Sequence, residues 1–279
     1  MSKIAETVKS LAKIMLQSRP VSLGRVVDGG RIIIMGNGPS LNTTIEQHID
    51  VLKTTPTMAV NFAALAPVFF DLKPKYYLMA DPHFFCAGDG GGNLDILRHH
   101  FGKIDWSMTQ FVPARYRSAT KKYYSGDFAT KKSQFCTNIR TFNAVGIEGF
   151  KPLMHAAYRH NLGMPRPRNV LIPAIMVAIA LGYNEIIIVG ADHSWMRTLS
   201  VTDDNEVVSV QPHFYKDSDR EEARVRHEYR GYSLYQIVES FAIAFKAYHQ
   251  IAAYAASRNV RILNATPGSM IDAFPRTTL

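Results

Sequence analysis

A chain of 279 residues, 47% hydrophobic and 20% charged, is long enough to bury the core of one large domain, and a second domain is not required. A formal charge of +9 favours an anionic partner, whether nucleotide, acidic glycan, nucleic acid or lipid surface, without choosing among them. Cys86 and Cys136 form no metal-type cluster, the N-terminus lacks the apolar core of a signal peptide, and no apolar run approaches the roughly 18 residues of a spanning helix, so a cytoplasmic protein is expected.

Residues 2–18 place Ile4, Val8, Leu11, Met15 and Leu16 at helical spacing with Lys3, Lys9 and Lys13 elsewhere, which predicts an amphipathic helix within a leading segment of residues 1–30. Its apolar face is expected to pack on the body or on a second subunit, which would make a homo-oligomer. The other reading of a basic amphipathic helix is peripheral contact with a membrane, here the inner one. Next, "RIIIMGNGPSL" runs an unbroken apolar stretch into a turn. Residues 32–35 read as a strand buried on both faces. In the turn, Gly36 and Gly38 are expected to take positive φ and let backbone N–H groups approach an anion around Asn37 and Ser40, with Pro39 opening the following helix. The turn is weak evidence alone: Leu41 stands where a dinucleotide fingerprint has its third glycine, no Gly-Lys-Ser/Thr follows, and a turn without a ligand explains it equally.

Further short strands follow in "PTMAVNFAAL", "PKYYLMADPHFF", "MTQFVP", "NEIIIVGADHSW" and "NVRILNATPGS", and the clearest helices are residues 172–181, closed by Gly182, and residues 234–257. "GDGGGN" reads as a flexible loop. The basic stretch "RYRSATKKYYSGDFATKKSQF" reads as a solvated surface segment; no nucleic-acid module is recognisable, so nucleic acid is not expected as a partner. The alternation predicts an α/β, Rossmann-like fold: a mostly parallel sheet flanked by helices, one domain over residues 31–279, with an inserted lid at about residues 196–232 over the carboxyl ends of the strands.

Those carboxyl ends deliver Asn37, Asn61, Asp81, the Asp192-His193-Ser194 group after Gly190, and Asn264, where open α/β sheets bind ligands. Asp81 can accept from a ribose or base, ligate a divalent ion with His83, or cap the turn before Pro82. Asp192 and His193 stand in a loop of the kind that carries sites. "SVTDDNEVVSVQPHFYKD" alternates around a turn signal at Asp203-Asp204-Asn205 and predicts a β-hairpin. At its end His213 is a candidate general base and Tyr215 a phosphate donor, or both belong to an aromatic cluster. The charged stretch beyond offers Arg224, Arg226, His227, Tyr229, Arg230 and Tyr232 as anion or acceptor contacts. No Gly-x-Ser-x-Gly, His-Glu-x-x-His or Cys-x-x-Cys motif exists, so serine hydrolase and zinc chemistry have no support.

"IIIMGNGPSL", "AVNF", "MADPHFF", "AIMVAIALGYNEIIIVGADHSW" and the late "GYS" together resemble bacterial family-42 sialyltransferases and the related 6-hydroxymethylpterin diphosphokinase-like domain (domain of unknown function 115), over roughly residues 30–270 in order. The resemblance implies a Rossmann-like domain that binds a CMP-activated nonulosonic acid under a lid, with no obligatory metal. The family's donor-contacting asparagines fall on Asn37, Asn61 and Asp81, and its Gly-x-Asp loop on Gly190 to Asp192. Its Thr-Ser-Gly falls near Asn169, a tyrosine after the loop Asp becomes Ser194, and its catalytic histidine aligns with Tyr232, a poor base because a phenol titrates near pH 10. His213 is then the expected replacement base, with His227 the second choice. The expected function is transfer of an acidic sugar from a CMP-linked donor to a glycan or glycolipid acceptor in surface polysaccharide or lipooligosaccharide synthesis, with no cofactor. Two alternatives stand beside it: a diphosphokinase-like enzyme using ATP, with Asp81 and Asp192 holding Mg²⁺, and a catalytically silent nucleotide-binding scaffold.

Overall fold

The computed structural model describes residues 2–124, 137–209, 229 and 231–279. Seven parallel strands form one sheet: β1 (Arg31–Met35), β2 (Thr57–Val60), β3 (Tyr76–Leu78), β4 (Met108–Pro113), β5 (Thr137–Phe142), β6 (Glu185–Val189) and, after a separate hairpin of β7 (Ser200–Val201) and β8 (Val207–Val208), β9 (Arg261–Asn264). The order across the sheet is β5-β4-β3-β2-β1-β6-β9. From β1 the chain steps outward strand by strand to β5, then returns to place β6 on the other side of β1. The winding direction therefore reverses between β1 and β6, the switch point at which doubly wound sheets bind ligands. This is a Rossmann-like α/β fold.

Apolar runs without polar alternation serve two cores at once. Ile32, Ile34, Met58, Val60 and Leu78 face one side, while Ile33, Met35, Ala59, Tyr77 and Met79 face the other. The second side is covered by α2 (Ser40–Thr54), α3 (Val68–Leu72), α4 (Asn93–Phe101) and α5 (Arg117–Tyr124), through residues such as Leu41, Phe69, Leu97 and Tyr124. The first is covered by α6 (Lys151–Arg159), α7 (Leu171–Leu181) and α8 (Leu234–Ala256). Helix α7 is apolar all round because it is buried all round, and Gly182 at φ +103° ends it in the left-handed cap that glycine adopts without strain. At the amino ends of the strands, Glu185 pairs with both Arg31 and Arg261 and ties β1, β6 and β9 together.

Two local expectations are corrected, and one strand was not expected. Strand β5, "TNIRTF", carries four polar residues, Thr137, Asn138, Arg140 and Thr141, as a sheet-edge strand can, and its sequence lacks the apolar run that marks the inner strands. The first part of the basic stretch is not simply solvated: it forms α5, in which Thr120 and Tyr124 are buried and the Tyr124 hydroxyl donates to the Phe84 carbonyl at 3.0 Å. The Arg98 guanidinium lies 4.6 Å from the Tyr123 ring centroid, a cation–π contact. Helix α1 (Lys3–Gln17) forms as expected, but with the opposite face inward. Thr7 and Ser10 are buried, Ile14 packs on the core, and Ile4, Val8, Leu11, Met15 and Leu16 are exposed.

Candidate functional site

At the switch point the glycine turn is joined to the neighbouring strand. The Gly36 N–H donates to the Val189 carbonyl and the Gly38 N–H to the Gly190 carbonyl, each at 2.8 Å. Neither glycine has positive φ; Gly190 does, at +63°. A Cβ on Gly36 would collide with the Gly190 carbonyl, and one on Gly38 with the Asp192 carboxylate. The glycines are therefore needed for close approach of two strand ends, and their N–H groups are already engaged rather than free for an anion. Ser40, at the start of α2, donates its hydroxyl to Asp192 Oδ2 at 2.7 Å. The chain's own carboxylate thus sits at the positive end of α2, where an incoming phosphate was expected.

Beyond these ends lies a crevice of about 750 Å³, within the usual range for small-ligand sites. Asn37, Asn61, Asp81, Asn169, Gly190, Asp192, His193, Ser194 and Tyr232 all line it. Pro39 and Ser40 stand behind this wall in the first turn of α2. His213, Tyr215 and His227, with Arg224, Arg226 and Arg230, lie outside the described residues.

Asn37 donates its amide Nδ2 to the Val60 carbonyl at 3.1 Å, which fixes the amide and leaves Oδ1 buried without a partner. Asn61 Oδ1 is buried and unpartnered as well, and Asn61 holds φ +48°, a conformation asparagine tolerates better than most side chains. Two unmet acceptors in one wall are costly unless water or a ligand brings donors to them. Asp81 is exposed at the rim and accepts from the His83 N–H at 2.9 Å, capping the short 3₁₀ turn Pro82–Phe85.

His193 is buried at φ +52°, with its ring 4.2 Å from that of Trp195. Its Nε2 lies 2.6 Å from the Tyr248 hydroxyl, which donates to Asn169 Oδ1 at 2.9 Å. The same Nε2 lies 3.5 Å from Asn169 Nδ2, so it donates to Tyr248 when it carries the ring proton and accepts from Asn169 when it does not. Burial pushes the His193 imidazole down to about 3, so it is neutral near pH 7, and the same burial raises the Tyr248 phenol. Asn169 Oδ1 also accepts from the Leu171 and Ile172 N–H groups, so one side chain links the α7 amino end to this pair.

Sequence reasoning passed over Arg168, Gln236, Ser240 and Tyr248. Arg168 is the one arginine or lysine among the described residues lining the crevice. Gln236, Glu239 and Ser240 stand at i, i+3 and i+4 of the largely apolar α8 and face the crevice together, a spacing that was present in the sequence as a signal. Among the described residues no three His, Cys, Asp or Glu side chains converge as a metal site; Asp81 and Asp192 are the two carboxylates nearest the strand ends.

Fold and crevice together define a Rossmann-like α/β protein with an open crevice at its switch point. No family model matches the chain, and no curated protein does. Among solved structures it is similar to the MAf glycosyltransferase from Magnetospirillum magneticum AMB-1, at 10% identity and a TM-score of 0.47, over 99% of this chain and 38% of that one. The chain therefore spans well under half the length of that glycosyltransferase.

Proposed function

We propose that this chain is a glycosyltransferase whose crevice binds a nucleotide-activated sugar, with CMP as the nucleotide and an acidic nonulosonate as the sugar, and that the acceptor is a glycan or glycolipid of a surface polysaccharide. The observation that carries the reading is the pair of unpartnered acceptors, Asn37 Oδ1 and Asn61 Oδ1, in the wall at the switch point. Ribose hydroxyls and the exocyclic amine of cytosine are donors of the kind such acceptors need. The sugar-nucleotide resemblance supplies the class of ligand, because the residues that carry it, Asn37, Asn61, Asp81 and Asp192, share this crevice.

With the Gly36 and Gly38 N–H groups engaged, charge on the departing CMP phosphate would be met by the Arg168 guanidinium and side-chain donors such as Ser194 and Gln236. Neutral His193, its ring held against Tyr248, acts as a fixed dipole in this reading. The base that takes the acceptor hydroxyl proton is assigned to His213, with His227 as the alternative, since imidazole titrates near neutrality.

A thermal-shift panel tests the reading. CMP or CDP without metal should stabilise the protein by about 2.7 kcal/mol at 100 times the dissociation constant. A shift with ATP and Mg²⁺ alone would transfer the assignment to diphosphokinase-like chemistry, and no shift with any nucleotide would refute nucleotide binding. His213→Ala should lower kcat at least about 100-fold with CMP affinity unchanged; if His227→Ala does so instead, the base is reassigned.

A further inference from the structure

Helix α1 is held to the body by its polar side. Thr7 Oγ1 accepts from the Phe150 N–H at 2.9 Å, Ser10 Oγ donates to the Glu148 carbonyl at 2.6 Å and accepts from the Glu148 N–H at 2.9 Å, and Lys13 Nζ donates to the Gly146 carbonyl at 3.2 Å. Gly149 is part of the same fit, since a Cβ there would run into Thr7. These specific bonds leave the apolar stripe outside. Ile4, Val8, Leu11 and Met15, spaced i, i+4, i+7 and i+11, are 65%, 61%, 43% and 79% exposed. Phe150 and Leu153, at the start of α6 where α1 is bonded, are also exposed large apolar side chains.

We propose that this face lies on an anionic lipid bilayer. The stripe belongs to a helix whose Lys3 and Lys9 are exposed, whose Lys13 is engaged by the body and whose one acid is Glu6, and the adjoining α6 adds the exposed Lys151 and Arg159, in a chain of formal charge +9. An apolar stripe between cations is what binds a helix in the plane of a membrane interface, where burial of the stripe and attraction to anionic headgroups add. A second copy suits this face less well, because a two-fold interface would bring two sets of these cations together with Glu6 as the one acid on each helix. The contact is peripheral: among the described residues no helix is long and apolar enough to cross a membrane. The inference is independent of the ligand assigned to the crevice.

The test is co-sedimentation of the full chain with vesicles of phosphatidylcholine, and with vesicles containing about one third phosphatidylglycerol. The protein should sediment with the anionic vesicles at about 0.1 M NaCl, less at about 0.5 M, and little with phosphatidylcholine alone. The triple variant Val8→Gln, Leu11→Gln, Met15→Gln alters solvent-facing positions, so it should keep its thermal midpoint and lose about tenfold or more of the partitioning. Lys3→Glu with Lys9→Glu should lose the preference for anionic vesicles. Equal sedimentation of wild type and triple variant, or none of the wild type, would overturn the proposal. So would a dimer in analytical ultracentrifugation that the triple variant dissociates, which would assign the face to a second copy.

Discussion

Ser40 Oγ and Asp192 Oδ2, 2.7 Å apart, join the first turn of α2 to the loop that leaves β6, across the gap where the sheet reverses direction. The bond is charge-assisted, so Ser40→Ala should cost about 1.5–3 kcal/mol, read as a fall in thermal or denaturant midpoint. Asp192→Asn retains an acceptor for Ser40 and should keep most of that stability while lowering turnover. Asp192→Ala should abolish turnover in a protein that still folds. An Asp192→Ala protein that unfolds would make Asp192 a structural tie alone.

Gly38 has no room for a side chain, because its neighbours are the Asp192 carboxylate and the Gly190 carbonyl. Gly38→Ala should destabilise by about 1–3 kcal/mol, the usual cost of forcing extra volume into a packed site. Combined with Asp192→Ala the loss should be less than the sum of the two, because the carboxylate half of the clash is gone while the backbone half remains. Strict additivity in the double-mutant cycle would show that the two do not press on each other.

Asn37 and Asn61 separate binding from stability in different ways. Asn61→Gly removes the unmet acceptor at a left-handed position that glycine accepts, so the midpoint should hold and CMP affinity should fall about tenfold or more. Asn37→Ala also removes the donor to Val60 and should cost about 1 kcal/mol in addition to affinity. Calorimetric titration of CMP into each variant reads the two effects apart.

The His193 imidazole, held at about 3 by burial, makes stability depend on acid. The unfolded chain takes up this proton below about pH 6.5, whereas the folded chain resists until about pH 3, so the contribution is full above 6.5 and declines through that window by up to about 1.4 kcal/mol per pH unit. His193→Gln, which cannot titrate, should flatten the fall in unfolding free energy between pH 6.5 and pH 4. A variant curve parallel to wild type would mean that His193 is not kept neutral.

What the sequence disclosed is governed by range along the chain. The inner strands were legible because burial on both faces leaves an apolar run such as "IIIM", and Asn37, Asn61, Asp81 and the Asp192-His193-Ser194 group at their carboxyl ends marked a crevice they do share, whereas Asn264 is buried away from it and bonded to Ser269 and the Thr266 N–H. The edge strand β5 was not, since it carries no such run. The His193, Tyr248 and Asn169 cluster draws on residues 55 and 79 positions apart, a proximity that no local pattern encodes. Helix α1 misled for a related reason: periodicity revealed its apolar face, but four bonds to residues 146–150 decide which face turns inward. The glycine turn had two glycines and a serine ahead of a helix, as a phosphate loop has, and the partners of its N–H groups identify it as a strand splice.

The splice at Gly36 and Gly38 also divides the crevice by rigidity. Its floor carries ladder bonding past the formal end of β1, so the Gly38 amide, although in a turn, should exchange with deuterium about as slowly as the strand itself. The opposite wall rests on a small separate cluster in which Val207 meets Ile237 and Phe241, and amides of β7 and β8 should exchange much sooner. An occupant of the crevice would meet an unyielding base and a compliant flank, so fitting of shape would fall to the first turns of α8, which the hairpin backs.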